Sequence, residues 1–141
     1  MLFTRTAEYA LRAMTFLATQ PAGRRIGARA ISQAENIPMP FLWKILQNLA
    51  RRRLIRSFKG IRGGYELARP SNRITLHDVV FATDGMDFSN QCVLGLPRCG
   101  EKNACPLHDT WKSIRAAMTA MLEQNTLADL ARVARKRAAK K

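Results

Sequence analysis

The sequence predicts a mainly α protein: a winged helix-turn-helix domain with a two-stranded wing, followed by a long C-terminal dimerisation helix. Three observations lead there. Two short helical patterns meet across Asn36-Ile37-Pro38, a glycine-bearing hairpin pattern follows them directly, and cations crowd onto these same segments. Residues 1–85 read as the DNA-binding domain, 86–105 as a cofactor-binding loop, and 106–141 as the dimerisation helix with a short terminal helix and basic tail.

The first helix runs from about Thr6, with Ala7, Ala10, Leu11, Met14, Leu17 and Ala18 at three- and four-residue steps, until Pro21-Ala22-Gly23 ends it. A second spans Gly27 to Glu35, with Ala30, Ile31 and Ala34 expected on one face. The third opens at Pro40, where a missing N–H would have had no intrahelical partner, and continues through Leu42, Ile45, Leu46 and Leu49. Residues 54–59 and 65–68 read as strands joined by Gly60-Ile61-Arg62-Gly63-Gly64, whose three glycines permit positive φ. A hairpin at this place is a wing. Thr75-x-x-Asp78 is a capping box for a fourth helix that ends near Asp84-Gly85.

From Met86 to Cys105 no period is visible, and a loop of that length inside a small domain usually has a functional cause. After it, Pro106 starts a long helix with Leu107, Trp111, Ile114, Met118 and Met121 at steps of four, three, four and three. Such a seam is expected to bury against its twofold mate, because the earlier elements already have one another to pack on and a twofold dimer suits a palindromic operator. Thr126-x-x-Asp129 caps a last helix; the basic tail from Ala131 reads as a frayed end.

Composition agrees. The chain has 141 residues, 24 Lys+Arg against 10 Asp+Glu, a net charge of +14, and 47% hydrophobic residues, enough for a core and too many for disorder. Residues 1–73 carry 14 basic and 3 acidic side chains, and Lys44 to Arg62 carries seven cations without an acid. A surface that only confers solubility mixes both signs, so this half is the expected polyanion face. Double-stranded promoter DNA is the expected partner. Met39, Phe41, Trp43, Lys44, Gln47, Asn48 and Arg51 of the third helix are the expected contacts, with Lys44, Gln47 and Asn48 near base edges and Lys59 and Arg62 of the wing at a groove or phosphates. The charge-free stretch from Ala13 to Gly23 falls short of the ~20 apolar residues a membrane span needs, and no secretory signal is visible. The expectation is a cytoplasmic protein without a membrane partner.

Cys92, Cys99 and Cys105 are the only cysteines, with six and five residues between them, and His108 follows. An odd count argues against a disulfide framework. Structural zinc sites favour closer ligand pairs, and the wider spacing suits a polynuclear centre; iron-sulfur clusters take cysteine thiolates, and Cys105-Pro106 matches the Cys-Pro that closes many cluster runs. Cys105 lies at the start of the long helix, where free N–H groups favour an anionic centre. Zinc binding or direct thiol redox sensing is the alternative, and a small iron-sulfur electron carrier is the alternative of another class, though its docking face would be acidic or neutral. Catalysis is not expected: no paired carboxylates or phosphate-cradling motif is present.

Residues Thr6 to Met14, Gly60 to Tyr65, Leu76 to Gly85, and the three cysteines with Pro106-Leu107-His108 and Trp111 together resemble the Rrf-type winged-helix regulators, the group containing IscR, NsrR and RirA. The resemblance covers roughly residues 2 to 130. It implies a homodimeric transcription factor whose iron-sulfur cluster reports iron-sulfur, iron, redox or nitric oxide status, with RNA polymerase a candidate protein partner. It also implies cluster ligation by Cys92, Cys99 and Cys105. In IscR-like members a histidine matching His108 completes a 2Fe-2S site; in NsrR-like members an acidic residue in the first helix of the partner subunit, matching Glu8, serves a 4Fe-4S cluster. His108 and a 2Fe-2S centre are favoured, because the spacing puts His108 on the same side of the helix end as Cys105. Trp43 departs from the family, standing where IscR-like proteins carry an acidic residue, and Ile61-Arg62 replaces a frequent proline and glycine. Promoter preference therefore does not transfer.

Overall fold

The computed structural model describes residues 3–85, 91–97, 102 and 105–139. The elements run α1 (Arg5–Thr19), α2 (Ala28–Glu35), α3 (Met39–Arg51), β1 (Ile55–Phe58), β2 (Gly64–Leu67), a 3-10 turn (Ser71–Arg73), α4 (Leu76–Asp84), α5 (His108–Gln124) and α6 (Leu127–Ala139). This is the expected mainly α winged helix-turn-helix with a long C-terminal helix.

α1 is the central support. Its small side chains Ala7, Ala10 and Ala13 are fully buried beside Met14, which lets neighbouring backbones approach, and the helix packs against α2, α3, α4 and α6. Thr4 caps it, accepting from the Ala7 N–H at 3.1 Å and donating to Asp84 at 2.7 Å. In α2 only Ile31 is buried; Ala30 and Ala34, expected beside it, are exposed, because one large side chain suffices to seat so short a helix. Asn36 then adopts the left-handed conformation at φ 52°, the Ile37 N–H returns to the Ser32 carbonyl at 3.0 Å, and Ile37 is buried. That closes the tight turn of the helix-turn-helix.

α3 buries Leu42, Ile45, Leu46 and Leu49, which fixes its rotation and turns Lys44 and Gln47 outward. It ends with Arg53 at φ 61°, the Arg53 and Leu54 N–H groups bonding the Ala50 and Leu49 carbonyls, a Schellman motif whose Leu49 and Leu54 are both buried. β1 and β2 pair antiparallel, Ile55 opposite Leu67 and Phe58 opposite Gly64. Tyr65 also exchanges both backbone bonds with Ile26, at 2.8 and 2.9 Å, so the wing is fastened to the segment before α2. Of the three wing glycines, Gly60 and Gly64 have positive φ; Gly63 does not, and its need is steric, since a Cβ there would strike the Phe58 carbonyl.

The capping box Thr75 and Asp78 starts α4 as expected. The C-terminal segment, expected to follow the winged domain as a dimerisation helix and tail, shares that domain's core: Met118, Leu122, Leu127 and Ala131 belong to the same buried cluster as residues of α1 and α4. Leu76 donates to the Asn125 carbonyl at 3.0 Å and Leu127 to that of Ile74 at 2.9 Å, which ties the α5–α6 junction to the start of α4. The expected frayed tail is instead helical to Ala139, and Arg135 donates to the Ala18 carbonyl at 2.9 Å, one of the carbonyls that the end of α1 leaves without an intrahelical partner. Among the described residues no helix is long and apolar enough to cross a membrane.

Candidate nucleic-acid interface and cysteine segment

The outward face of α3 carries Lys44, Gln47 and Arg51, all exposed, with Asn48 half-buried beside them and accepting from Arg51 at 3.5 Å. Phe41 and Trp43 are also exposed, whereas Met39 is half-buried against the core. At the wing, Lys59, Ile61 and Arg62 project into solvent. Helix and wing thus both expose cations; Arg53 and Arg56 between them are exposed as well, and exposed Arg52 lies over the Phe81 ring of α4 at 5.5 Å.

Sequence reading missed the brace of this surface. Arg25 sits over the Phe58 ring at 3.6 Å from its centroid and donates to the Arg62 carbonyl at 3.4 Å. It lies in an aperiodic loop, so no local pattern marks it. Tyr9 is a second case: Arg5 and Arg12 flank its ring at 5.9 and 5.7 Å, and Arg12 also pairs with Glu35 at 3.5 Å.

Cys92 is buried, and the Leu94 N–H points at its sulfur at 3.4 Å. The neighbouring Gln91 carbonyl accepts both Trp111 Nε1 at 2.6 Å and an Arg115 guanidinium nitrogen at 2.9 Å, which anchors this segment to the first half of α5. Cys105 is half-buried just ahead of α5, its carbonyl accepting the His108 N–H at 3.0 Å, and His108 itself is buried. Cys92 thus follows a residue fixed to the first half of α5, while Cys105 and His108 stand at the start of that helix; thiols and an imidazole are donor types that iron-sulfur clusters take. Cys99 lies outside the described residues, and among the described residues no group of three or more metal-binding side chains is assembled. Glu8 is half-buried in the first turn of α1, 4.0 Å from Arg5.

The seam expected on α5 is divided by the fold. Met118 is only 7% exposed and packs in its own chain's core, together with Leu122, and Trp111 turns to Gln91. Leu107, Ile114 and Met121, spaced by seven, remain 49, 45 and 43% exposed on the other face. Each residue of a 3.5-residue stripe can serve either side of so narrow a boundary, and the contacts with α4 decide which.

Two short helices around a tight turn, a wing behind them and exposed cations on both α3 and the wing define a winged helix-turn-helix DNA-binding regulator. Residues 3–133 match the Rrf2 family, described as iron-dependent transcriptional regulators, and the chain belongs to that family. It is 44% identical over 133 residues to a protein of Mycobacterium tuberculosis described as a helix-turn-helix transcriptional regulator, covering 93% of this chain and 81% of that one. A protein of Aquifex aeolicus with the same description is 30% identical, with 96 and 95% covered. Among solved structures, CymR, the global cysteine regulator of B. subtilis, superimposes with a TM-score of 0.81 at 26% identity over 94% of this chain and 98% of its own. T. potens IscR shares the fold, with a TM-score of 0.76 at 21% identity over 95 and 88%. The family and the two bacterial relatives are described as regulators of transcription, which sets aside the electron-carrier alternative.

Proposed function

We propose that this chain is a homodimeric regulator whose promoter binding follows the state of an iron-sulfur cluster held by Cys92, Cys99 and Cys105, with His108 the favoured fourth ligand and a 2Fe-2S centre the favoured form. The observation that carries this reading is the double acceptance at the Gln91 carbonyl, which holds the residue next to Cys92 against the helix that begins at His108. When bound, the cluster supplies iron that responds to redox state, nitric oxide or iron supply. The chain's own residues do the rest. Trp111 and Arg115 fix the cysteine segment to α5; Met118 and Leu122 seat α5 in the core; and the Leu76 and Leu127 backbone bonds join it to α4. A shift in the cysteine segment would thereby tilt α5 relative to the DNA-binding face. The exposed stripe Leu107, Ile114 and Met121 supports a twofold dimer along α5.

Iron and acid-labile sulfide per chain, with an absorption spectrum, measured on protein purified without oxygen, test the reading. Stoichiometric iron and sulfide are expected. A second reading, direct thiol redox sensing, is favoured by the likeness to Staphylococcus aureus CymR, whose structure is that of an oxidized form. It predicts neither iron nor sulfide, and DNA affinity that changes on reversible oxidation of the cysteines.

A further inference from the structure

Trp43 and Phe41 are the unexplained feature of the DNA-binding face. Each exposes 58% of its surface, a large apolar area to leave in water on a helix ringed by cations. The burial of Leu42, Ile45, Leu46 and Leu49 fixes how α3 is turned. At 100° per residue Pro40, Lys44, Gln47 and Arg51 then form its outward crest, with Trp43 on one shoulder and Phe41 on the other. Phe41 is braced by Tyr9, the ring centroids 6.4 Å apart. Trp43 makes no ring contact or hydrogen bond among the described residues, so its indole is not held there by the protein itself.

The start of a recognition helix is the part that meets base edges in a helix-turn-helix. Here Met39, Pro40, Phe41 and Leu42 offer no side-chain donor or acceptor, and Trp43 offers a single indole N–H. Apart from that one N–H, hydrogen-bonding readout begins at Lys44. The apolar feature that unmodified base pairs present in the major groove is the thymine C5 methyl. Exposed Arg51 on the same helix, with Lys59 and Arg62 on the wing, matches flanking phosphates, which favours DNA over an apolar protein surface as the occupant.

We infer that Trp43 is a specificity-determining residue that packs its indole against thymine methyl groups in the operator half-site, with Phe41 as a second, Tyr9-braced contact. The inference rests on the reading of α3 as the recognition helix, and it makes the operator dependent on thymine at the positions that the first turns of α3 reach.

The test begins with duplexes selected by the purified full-length protein from a random pool. Affinity is then measured for a selected duplex and for copies in which deoxyuridine replaces thymine one position at a time, removing only the methyl. Loss of about fourfold per contacted methyl is expected for the wild-type protein. At the thymine that Trp43 contacts the loss should persist in Trp43→Phe and vanish in Trp43→Ala, while a thymine contacted by Phe41 keeps its penalty in both variants. Because the uridine series on the wild-type protein needs no variant, a poorly folded mutant cannot decide the outcome alone. Enriched duplexes that tolerate uridine everywhere, or uridine penalties unchanged at every position in a folded Trp43→Ala, overturn the methyl readout by Trp43 while leaving DNA recognition by α3 intact. If no duplex is enriched, the recognition-helix reading itself fails and the inference falls with it.

Discussion

Arg25 caps the aromatic face of Phe58, its guanidinium carbon 3.6 Å from the ring centroid, while the same side chain reaches the carbonyl of Arg62 at the wing turn. A residue from the loop before α2 thus sets the posture of the wing. Arg25→Ala should lower stability by about 0.5–1 kcal/mol, the range for an exposed cation-π contact. It should also weaken DNA binding more than Arg24→Ala, which removes the same charge one residue away. Denaturant unfolding and DNA titration check the two halves, and equal effects of the two substitutions would deny Arg25 its bracing role.

Arg62 should act on phosphates rather than on sequence. Arg62→Ala is expected to weaken binding to every duplex and to lower the slope of log affinity against log salt by about one. Gln47→Ala should alter preference among duplexes and leave the slope unchanged. A slope unmoved by Arg62→Ala would remove the wing from the interface.

The two faces of α5 make opposite predictions. Met118→Ala empties part of the chain's own core and should cost about 2–5 kcal/mol of stability. Ile114→Lys with Met121→Lys places charge on the exposed stripe; the monomer fold should survive while sedimentation shifts from dimer to monomer. A double variant that still sediments as a dimer moves the interface elsewhere.

For the cluster, any of Cys92, Cys99 or Cys105 replaced by alanine should abolish or severely destabilise the centre while the winged domain stays folded. His108→Ala should alter the spectrum or stability of a 2Fe-2S centre more than Glu8→Ala does. An intact centre in His108→Ala with loss in Glu8→Ala would favour a 4Fe-4S cluster completed from the partner subunit. Both variants need preparation without oxygen, with circular dichroism to separate ligand loss from unfolding.

Asp129 gives a pH test. Backbone and side-chain hydrogen bonds from Thr126, aided by Arg132, hold its carboxyl below the ordinary value of 3.8. A group whose folded pKa is depressed stabilises the fold above its unfolded pKa, and that contribution disappears as pH falls through the lower folded value. Asp129→Asn should therefore be less stable than the wild type at neutral pH, with the difference narrowing below about pH 4. A gap constant across that window would show that the cap does not depend on the charge.

Much of the fold was legible because its signals are local. The Thr75 and Thr126 caps, the Asn36 turn and the glycine hairpin each depend on residues within a few positions of one another, so short-range sterics and hydrogen bonding determine them. The cationic character of α3 and the wing was legible for the same reason. Tertiary structure alone decided which way α5 turns, putting Met118 inward and leaving Ile114 outward, because one apolar stripe satisfies an intrachain core and an intermolecular seam equally well. It also decided that α6 lies along α1 with Arg135 on the Ala18 carbonyl, and that Arg25 braces Phe58 across thirty-three positions of chain. Contacts between residues so far apart in sequence have no periodicity to announce them; they exist only once the core has fixed where each helix lies.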